Sequence, residues 1–220
     1  MMNQAFNIGR KAFPWWPDWQ GECVAIVASG PSVNRDKIAK IRDRIHVIAI
    51  KENIDLCPWA EVVYGCDDAW WLHRNGLPSY KGIKLTHGVR ASNEFKIPKV
   101  LIANTSLDAI LVENPLHIGS GGNSGFQAMN LAVQFGATDI LLIGFDMGAD
   151  PNHIHWYGRN KWMNANNPMQ SNYNRWIRGF ELARKDLDRL EINVVNVSPI
   201  SKLKCFKMAG LEETMEEWGL

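Results

Sequence analysis

Two histidines lie one residue apart in the segment HIHWYG, residues 153–158. The pKa of an unperturbed imidazole lies near neutrality, so a loop histidine can accept the proton of a reacting hydroxyl group. A His-x-His pair can also bind a metal ion, and Asp67, Asp68 or Asp146 could complete such a site. No third ligand stands at a diagnostic spacing, so we predict no bound metal. Solvated surface histidines are the third interpretation, and the spacing alone favours it.

Two short turns rich in glycine and serine are candidates for binding a phosphate group. The Gly30 turn comprises residues 29–32 (SGPS), and the Gly122 turn comprises residues 119–125 (GSGGNSG). A helix that follows such a turn presents unpaired N–H groups and partial positive charge, and glycine lets an anion approach closely. Neither turn fits the dinucleotide-binding or P-loop pattern. Either turn taken alone can be explained by close backbone packing, and Ser32 of the Gly30 turn could serve as a helix N-cap. The presence of two such turns favours phosphate binding.

Three aspartates stand at the ends of apolar runs. Asp67 and Asp68 follow EVVYGC, and Asp146 follows DILLIGF. Adjacent carboxylates at the end of a strand can hold Mg²⁺ together with a nucleotide. Alternatively, one of them caps the next helix and the other is solvated. The chain has neither a GxSxG motif nor a Cys/His arrangement, so hydrolysis through a side-chain nucleophile is unsupported.

The segments that must position these residues alternate between apolar runs and amphipathic stretches. Short apolar runs predict strands at residues 23–29, 45–50, 61–66, 139–145 and 192–198, with weaker candidates at 82–88 and 99–104. Apolar residues at helical spacing predict helices at 33–44, 124–135, 174–190 and 211–220. This alternation predicts an α/β fold, a mostly parallel sheet with helices on both faces in one domain. Ligands of such sheets bind at the carboxyl ends of the strands, where the turns and aspartates would meet.

The composition is that of an ordinary globular protein, with 46% hydrophobic and 21% charged residues. A net charge of +1 argues against a protein that binds DNA mainly by coating its phosphates. The four cysteines are dispersed without a CxxC pair, which favours free thiols in a reducing compartment. No segment is long and apolar enough to cross a bilayer, so we predict a cytoplasmic protein.

Two segments interrupt the regular alternation. Residues 1–20 are expected to form an N-terminal arm that packs on the domain, and residues 148–171 to form an active-site loop rich in Asn, His and Trp. Aromatic rings beside a polar pocket can stack on a base or a sugar, although most serve as core filler. The tryptophans near the predicted site are Trp70, Trp71, Trp156, Trp162 and Trp176.

Three segments in the same order resemble the bacterial sialyltransferase family and its relatives, the pterin pyrophosphokinase-like group often found in archaea and phages. They are VAIVASGPSV (24–33), GGNSGFQAMNLAVQFGATDILLIGFDM (121–147) and HIHWYG (153–158). A helix and the strand INVVNVSPIS (192–201) follow them. The middle segment is the specific one, because its small-residue turn, Ala-rich helix and Gly-Phe-Asp strand end all fit.

The resemblance implies a Rossmann-like fold that binds a nucleotide-activated sugar. His155, placed like the family's catalytic histidine, would deprotonate the acceptor hydroxyl, and Asp67 or Asp146 would orient hydroxyl groups. The implied donor-binding residues are Ser29, Gly30, Pro31, Ser32, Asn53, Gly122, Asn123, Ser124 and Gly125.

The chain departs from the sialyltransferase pattern at three places. Met147-Gly148 stands where that family has the tyrosines that support the leaving phosphate, and Tyr157 and Tyr173 are substitutes by proximity only. Gly121 replaces an arginine, and residues 50–53 replace an Arg-Cys-Asn strand end. The double-glycine turn and the segment DDAWW (67–71) look closer to the phage and pterin-kinase branch. The donor therefore need not be CMP-sialic acid.

We predict a nucleotide-dependent transferase, specifically a glycosyltransferase that moves a sugar from a nucleotide-activated donor to an acceptor hydroxyl without a tightly bound cofactor. The acceptor is a glycan, a small molecule or a modified nucleobase, and self-association into a homo-oligomer is left open. One alternative is a pyrophosphokinase that uses Mg²⁺ and ATP on a pterin-like alcohol, with Asp67 and Asp68 as metal ligands. The other is a phage accessory protein that binds nucleotide without turnover.

Overall fold

The computed structural model describes residues 12–148 and 153–220. Residues 1–11 of the predicted arm and residues 149–152 of the predicted active-site loop lie outside the described residues. The strands are β1 (Cys23–Val27), β2 (His46–Ile50), β3 (Val62–Gly65), β4 (Ile83–Thr86), β5 (Leu101–Ile102), β6 (His117–Ile118), β7 (Asp139–Ile143), β8 (Asn193–Asn196) and β9 (Lys207–Met208). The α-helices are α1 (Arg35–Lys40), α2 (Asp68–His73), α3 (Val89–Phe95), α4 (Ser124–Phe135), α5 (Gln170–Arg189) and α6 (Leu211–Glu217), and a 3₁₀ helix covers Lys51–Asp55.

Seven strands form one sheet in the order β4-β3-β2-β1-β7-β8-β9, and each of its pairings is parallel. The chain builds outward from β1 to β4, then returns to place β7 on the other side of β1 and continues to β8 and β9. The strand order therefore reverses between β1 and β7. In open parallel sheets, ligands bind in the crevice at the carboxyl ends of the two strands that flank such a reversal. The predicted α/β fold with a mostly parallel sheet is confirmed.

Helices cover both faces of the sheet because successive residues of each central strand point to opposite sides. In β1, Val24 and Ile26 belong to one apolar core, whereas Ala25 and Val27 belong to the other. The first core contains the apolar residues of α4 and α5, and the second contains those of α1, α2 and α6. Each face thus has its own buried layer, and both layers hold the central strands rigid.

Helix α4 begins and ends at the predicted residues. The Asn123 side chain caps its start by accepting the N–H of Phe126 at 2.9 Å, and Gly136 ends it with a left-handed φ of 106°. Every residue of α4 is buried. Three buried polar side chains of the helix make hydrogen bonds outside it: Gln127 with Tyr64 and Ser120, and Asn130 and Gln134 with the backbone of residues 111–119. The helix therefore fixes the preceding loop, including the Gly122 turn, on the sheet.

Helix α1 and the short strands β5 and β9 are among the elements that differ from the sequence prediction. Helix α1 begins after Asn34, whose side chain accepts the N–H of Lys37 at 2.8 Å, so Ser32 is not its N-cap. The weak strand candidate at 99–104 forms only the two-residue strand β5, which pairs with β6 in a small separate sheet. A two-residue strand is too short to show a pattern in the sequence. Strand β9 is equally short and was not predicted.

The described part of the arm packs against the carboxyl end of α4. Trp16 and Trp19 are buried and meet the Phe135 ring edge-on, at 4.9 and 5.1 Å between ring centroids. Backbone hydrogen bonds from Trp19 to Phe135 and from Gly21 to Gly136 fasten the chain there. No helix among residues 12–148 and 153–220 is long and apolar enough to cross a membrane.

Candidate functional site

A cavity of about 810 Å³ opens at the carboxyl ends of the strands, at the reversal between β1 and β7. This volume falls within the usual range for small-molecule sites. The residues following β1, β2, β3 and β7 form its floor, and the amino end of α4, the start of α5 and the chain from residue 154 to 169 form its walls. We call residues 153–169 the lid segment. Both glycine turns and His155 line this one cavity, so the predicted pieces do come together.

The backbone donors of the Gly30 turn are already used within the protein. The N–H of Gly30 donates to Gly144 O at 2.9 Å, the N–H of Ser32 donates to Asp146 Oδ2 at 3.1 Å, and Pro31 has no N–H. A Cβ on Gly30 would lie 1.9 Å from Asp146 Oδ2 and 2.4 Å from Gly144 O. Glycine is required here because the ends of β1 and β7 approach so closely.

The Gly122 turn is held from behind and keeps free donors in front. The N–H of Gly121 donates to Asp108 Oδ1 at 3.0 Å, and Arg175 binds both Asp108 oxygens at 2.8 and 2.9 Å. Gly121 and Gly122 have left-handed φ values of 54° and 71°, which only glycine adopts without strain. Among the described residues, none accepts the N–H of Ser124 or Gly125 at the start of α4. These donors and the positive end of a 12-residue helix face the cavity.

His155 is held as a neutral imidazole with one nitrogen available. Nε2 of His155 is buried without a hydrogen-bond partner among the described residues, and the backbone of Ser29 acts to raise the pKa of the ring. In the neutral ring, the tautomer with its proton on Nδ1 carries a lone pair on Nε2. Burial, followed by repulsion from Lys51, lowers the pKa of His155 to about 4 despite the opposing bond to Ser29. The ring stacks on Tyr157 at a centroid distance of 5.0 Å, which fixes its plane.

Asp146 presents a second acceptor that no described residue uses. The residue is 3% exposed, and while Oδ2 accepts the N–H of Ser32, Oδ1 is buried without a partner in the described part of the chain. Burial raises the pKa of the Asp146 carboxyl, and its hydrogen bonds with Ser32 oppose that shift. Ser198 Oγ accepts the N–H of Phe145 and Ser201 Oγ donates to Phe145 O, so the end of β7 is anchored from behind.

Asp67 and Asp68 both line the cavity but have different partners. Asp67 Oδ2 forms an ion pair with Lys51 Nζ, and Asp68 Oδ1 accepts the N–H of Ala91 at 2.7 Å. Asp68 thereby ties α2 to α3. The described residues contain no group of three His, Cys, Asp or Glu side chains arranged to hold a metal ion.

Two predicted donor-binding residues lie beside the cavity rather than on its wall. Asn53 is fully buried, and its carboxamide donates to Ser29 Oγ at 2.9 Å and accepts the indole N–H of Trp156 at 2.9 Å. Ser32 holds Asp146 through its backbone. Asn53 therefore links the Gly30 turn to the lid segment, and the remaining predicted residues of the two turns line the cavity wall.

The described lid segment is braced by its own asparagines. Asn160 and Asn167 bind each other's backbone, with Asn160 N–H to Asn167 Oδ1 at 2.8 Å and Asn167 Nδ2 to Asn160 O at 3.1 Å. Tyr157 donates to Asn160 Oδ1 at 2.8 Å. Trp162 and Trp176 line the cavity, whereas Trp70 and Trp71 are fully buried core residues. The lid thus presents carboxamides and ring faces to a ligand.

Several cavity residues were not among the predicted site residues. Lys51, Cys66 and Tyr173 line the wall outside the quoted motifs, and Tyr157 lies within the segment HIHWYG. Burial raises the pKa of both tyrosines to about 12 and that of Cys66 to about 11, so all three are neutral near pH 7. Lys51 could have been found from its position directly after β2, since the carboxyl ends of neighbouring strands share the crevice.

Comparison of the chain with protein-family models, with curated proteins and with solved structures yields no match in any of the three.

Proposed function

We propose that this protein is a glycosyltransferase that moves a sugar from a nucleotide-activated donor to an acceptor hydroxyl, with His155 as the general base. The observation that carries the proposal is the state of His155: the ring is neutral and lines a large cavity, and its Nε2 is buried without a partner among the described residues. Such a base can take a proton from an acceptor hydroxyl within hydrogen-bond reach, and its lowered pKa makes it a weaker base than a free imidazole. The ordered likeness to sialyltransferase motifs supports the same role.

In the proposed reaction, His155 Nε2 takes the proton from the acceptor hydroxyl. The acceptor oxygen forms a bond to the anomeric carbon of the donor while the bond from that carbon to the phosphate oxygen breaks, and the phosphate leaves with the electron pair. The free N–H groups of Ser124 and Gly125 and the helix dipole of α4 stabilise the negative charge that develops on the phosphate. The imidazolium then returns its proton to solvent.

Asp146 is better suited than Asp67 to orient a sugar or ribose hydroxyl. Its Oδ1 needs a donor, whereas Asp67 already binds Lys51 and the Cys66 thiol. A hydroxyl group supplies that donor without introducing a second negative charge. The Gly30 turn with Asp146 and His155 is thus the hydroxyl side of the cavity, and the Gly122 turn is the phosphate side.

Thermal unfolding with a nucleotide panel tests the donor class. CMP, UDP, GDP and ATP are added at millimolar concentration, each with Mg²⁺ and with EDTA. A ligand at about 100 times its Kd stabilises the fold by about 2.7 kcal/mol. We expect CMP, UDP or GDP to raise the Tm in EDTA as well as in Mg²⁺. Stabilisation by ATP with Mg²⁺ alone would favour the pyrophosphokinase alternative, and stabilisation by none would favour the accessory alternative.

His155→Ala tests the base. Once the panel has identified the donor nucleotide, we expect kcat to fall by about 10²- to 10⁴-fold while donor affinity changes less than about twofold, because the imidazole acts on the acceptor proton. His153→Ala is the matched control, since His153 is an exposed histidine two residues away. Equal loss of turnover and of donor affinity would remove His155 from the role of base.

A further inference from the structure

Lys51 is the cationic side chain that the fold brings to the cavity wall beside the Gly122 turn. It follows β2 directly, lines the cavity and keeps 22% of its side chain exposed. Its φ of 52° is left-handed, which is strained for a lysine. Strain of this kind persists where the surroundings fix the residue, and it concentrates at functional sites. The backbone is therefore held in an unfavourable conformation at the cavity wall, where the side chain of Lys51 pairs with Asp67.

A row of contacts connects Lys51 with the amino end of α4. Ser124 Oγ, in the first turn of that helix, donates to Cys66 Sγ at 3.1 Å. The Cys66 thiol donates to Asp67 Oδ1 at 3.3 Å, and Asp67 Oδ2 is paired with Lys51 Nζ. The cation and the free helix N–H groups therefore lie along one edge of the same cavity. A phosphate on the helix end would lie next to this row.

Lys51 stays protonated near pH 7, and its charge shifts the pKa of other groups in the cavity. Burial acts to lower the pKa of the ammonium group, but Cys66 and Asp67 outweigh it and the pKa of Lys51 is raised. Lys51 also contributes to the lowered pKa of His155, so its field reaches the imidazole. Asp67 neutralises Lys51 from a position where its own side chain is 52% exposed. An exposed carboxylate can be displaced at small cost, because surface ion pairs contribute little stability.

We propose that Lys51 binds the phosphate of the ligand together with the amino end of α4, and that the phosphate displaces Asp67 from the ammonium group. This inference rests on the proposed function in requiring a phosphate-bearing donor. It goes further by naming the residue that supplies the positive charge and a partner exchange that accompanies binding.

Titration calorimetry with inorganic diphosphate and with the nucleotides of the panel tests the exchange. Lys51→Met should weaken diphosphate binding by about 10- to 100-fold, the loss of a charge-assisted hydrogen bond. Lys51→Arg should restore most of the affinity. Lys161→Met is the matched control, because Lys161 is an exposed lysine of the lid segment. The Lys161→Met protein should bind diphosphate with the affinity of the unmodified protein.

Asp67→Asn separates phosphate binding from a purely structural ion pair. If Lys51 is a phosphate ligand, removing its competitor should tighten diphosphate binding by about 2- to 5-fold, a gain that damage to the fold does not produce. If the pair only joins the ends of β2 and β3, both Lys51→Met and Asp67→Asn will lower the Tm and weaken binding alike, and the inference is wrong.

The two proposals fail in different ways. A protein that binds a nucleotide in the panel but loses no affinity in Lys51→Met overturns the role of Lys51 and leaves the transferase proposal standing. A protein that binds neither diphosphate nor any nucleotide overturns both.

Discussion

The two glycine turns look alike in sequence and differ in what their backbones do. Both combine glycine with serine ahead of a helix, and both line one cavity. In the Gly30 turn, the N–H groups of Gly30 and Ser32 are bonded to the end of β7. In the Gly122 turn, Asp108 accepts the N–H of Gly121, whereas the N–H groups of Ser124 and Gly125 at the start of α4 have no acceptor among the described residues. A glycine turn binds an anion only where its donors remain free.

The comparison assigns a different reason to each glycine. Gly30 is small because a carboxylate and a carbonyl occupy the space of its missing side chain. Gly122 is less crowded than Gly30, since the nearest atom to its added Cβ is Trp176 Cδ1 at 3.3 Å, a tight contact with a side chain, and its φ of 71° disfavours other residues. Gly30 allows the ends of β1 and β7 to approach closely, and Gly122 allows the left-handed backbone of the loop before α4.

Gly30→Ala should have the largest effect on stability. The added methyl group must separate the ends of β1 and β7, and we expect a loss of about 2 to 3 kcal/mol in the free energy of unfolding, measured by urea denaturation. Gly122→Ala should cost less, about 1 kcal/mol from left-handed strain together with a small shift of the Trp176 ring. Gly148→Ala is the control, because its Cβ would make ordinary contacts at 3.4 Å or more. Equal losses at Gly30 and Gly122 would contradict the distinction.

A fall in pH should have an effect of similar size on the free energy of unfolding, through His155 on the hydroxyl side of the cavity. The pKa of His155 is lowered to about 4, so between the ordinary value of 6.5 and pH 4 the unfolded chain binds a proton that the folded protein does not. The contribution of this group to stability is therefore present above pH 6.5 and is lost as the pH falls toward 4, a loss on the order of 3 kcal/mol. His155→Gln removes the titration, so the stability difference between the two proteins should vary over this window and be constant above it. Parallel pH curves would show that the imidazole is not buried as described.

Serine substitutions in the two turns should have the smallest and most discriminating effect. Ser124→Ala keeps the backbone N–H but removes the hydroxyl, which donates to Cys66 in the structure and can turn to a bound phosphate; it should weaken nucleotide binding by about 2- to 12-fold in titration calorimetry, the value of one hydrogen bond. Ser32→Ala should change that affinity less than Ser124→Ala does, because the backbone N–H that binds Asp146 Oδ2 remains and only the contribution of the Ser32 side chain to Asp146 is lost. The reverse order of effects would move the phosphate to the Gly30 turn.

Local signals carried much of the fold. Helix α4 follows from an apolar, Ala-containing stretch between a capping Asn123 and the stop at Gly136, and the structure begins and ends it at the predicted residues. The buried strands follow from β-branched runs, with bounds that shift by one or two residues. Each of these features depends on residues that are adjacent in the chain, so it can be predicted from the sequence.

The features missed depend on contacts between distant residues. That Ser32 holds a carboxylate instead of capping α1 requires Asp146 to arrive from β7. Lys51 gains meaning only when β2 and β3 lie side by side and Asp67 reaches it. Asn53 was predicted to bind a ligand because polar residues at strand ends do so, but its hydrogen bonds to Ser29 and Trp156 depend on the folded lid segment. Composition and spacing do not encode such pairings.

The strand order also has a consequence for how the chain reaches its native state. The centre of the sheet joins the first strand to the seventh, while β2, β3 and β4 add to β1 one after another. Pairing between remote segments is slow, because a long loop must close before contacts compensate its lost entropy. A nascent chain can assemble the first half of the sheet early, yet the crevice arises only when Gly30 and Ala28 bond to the incoming β7. A chain that stops before β7 should therefore retain four strands and acquire no capacity to bind a ligand.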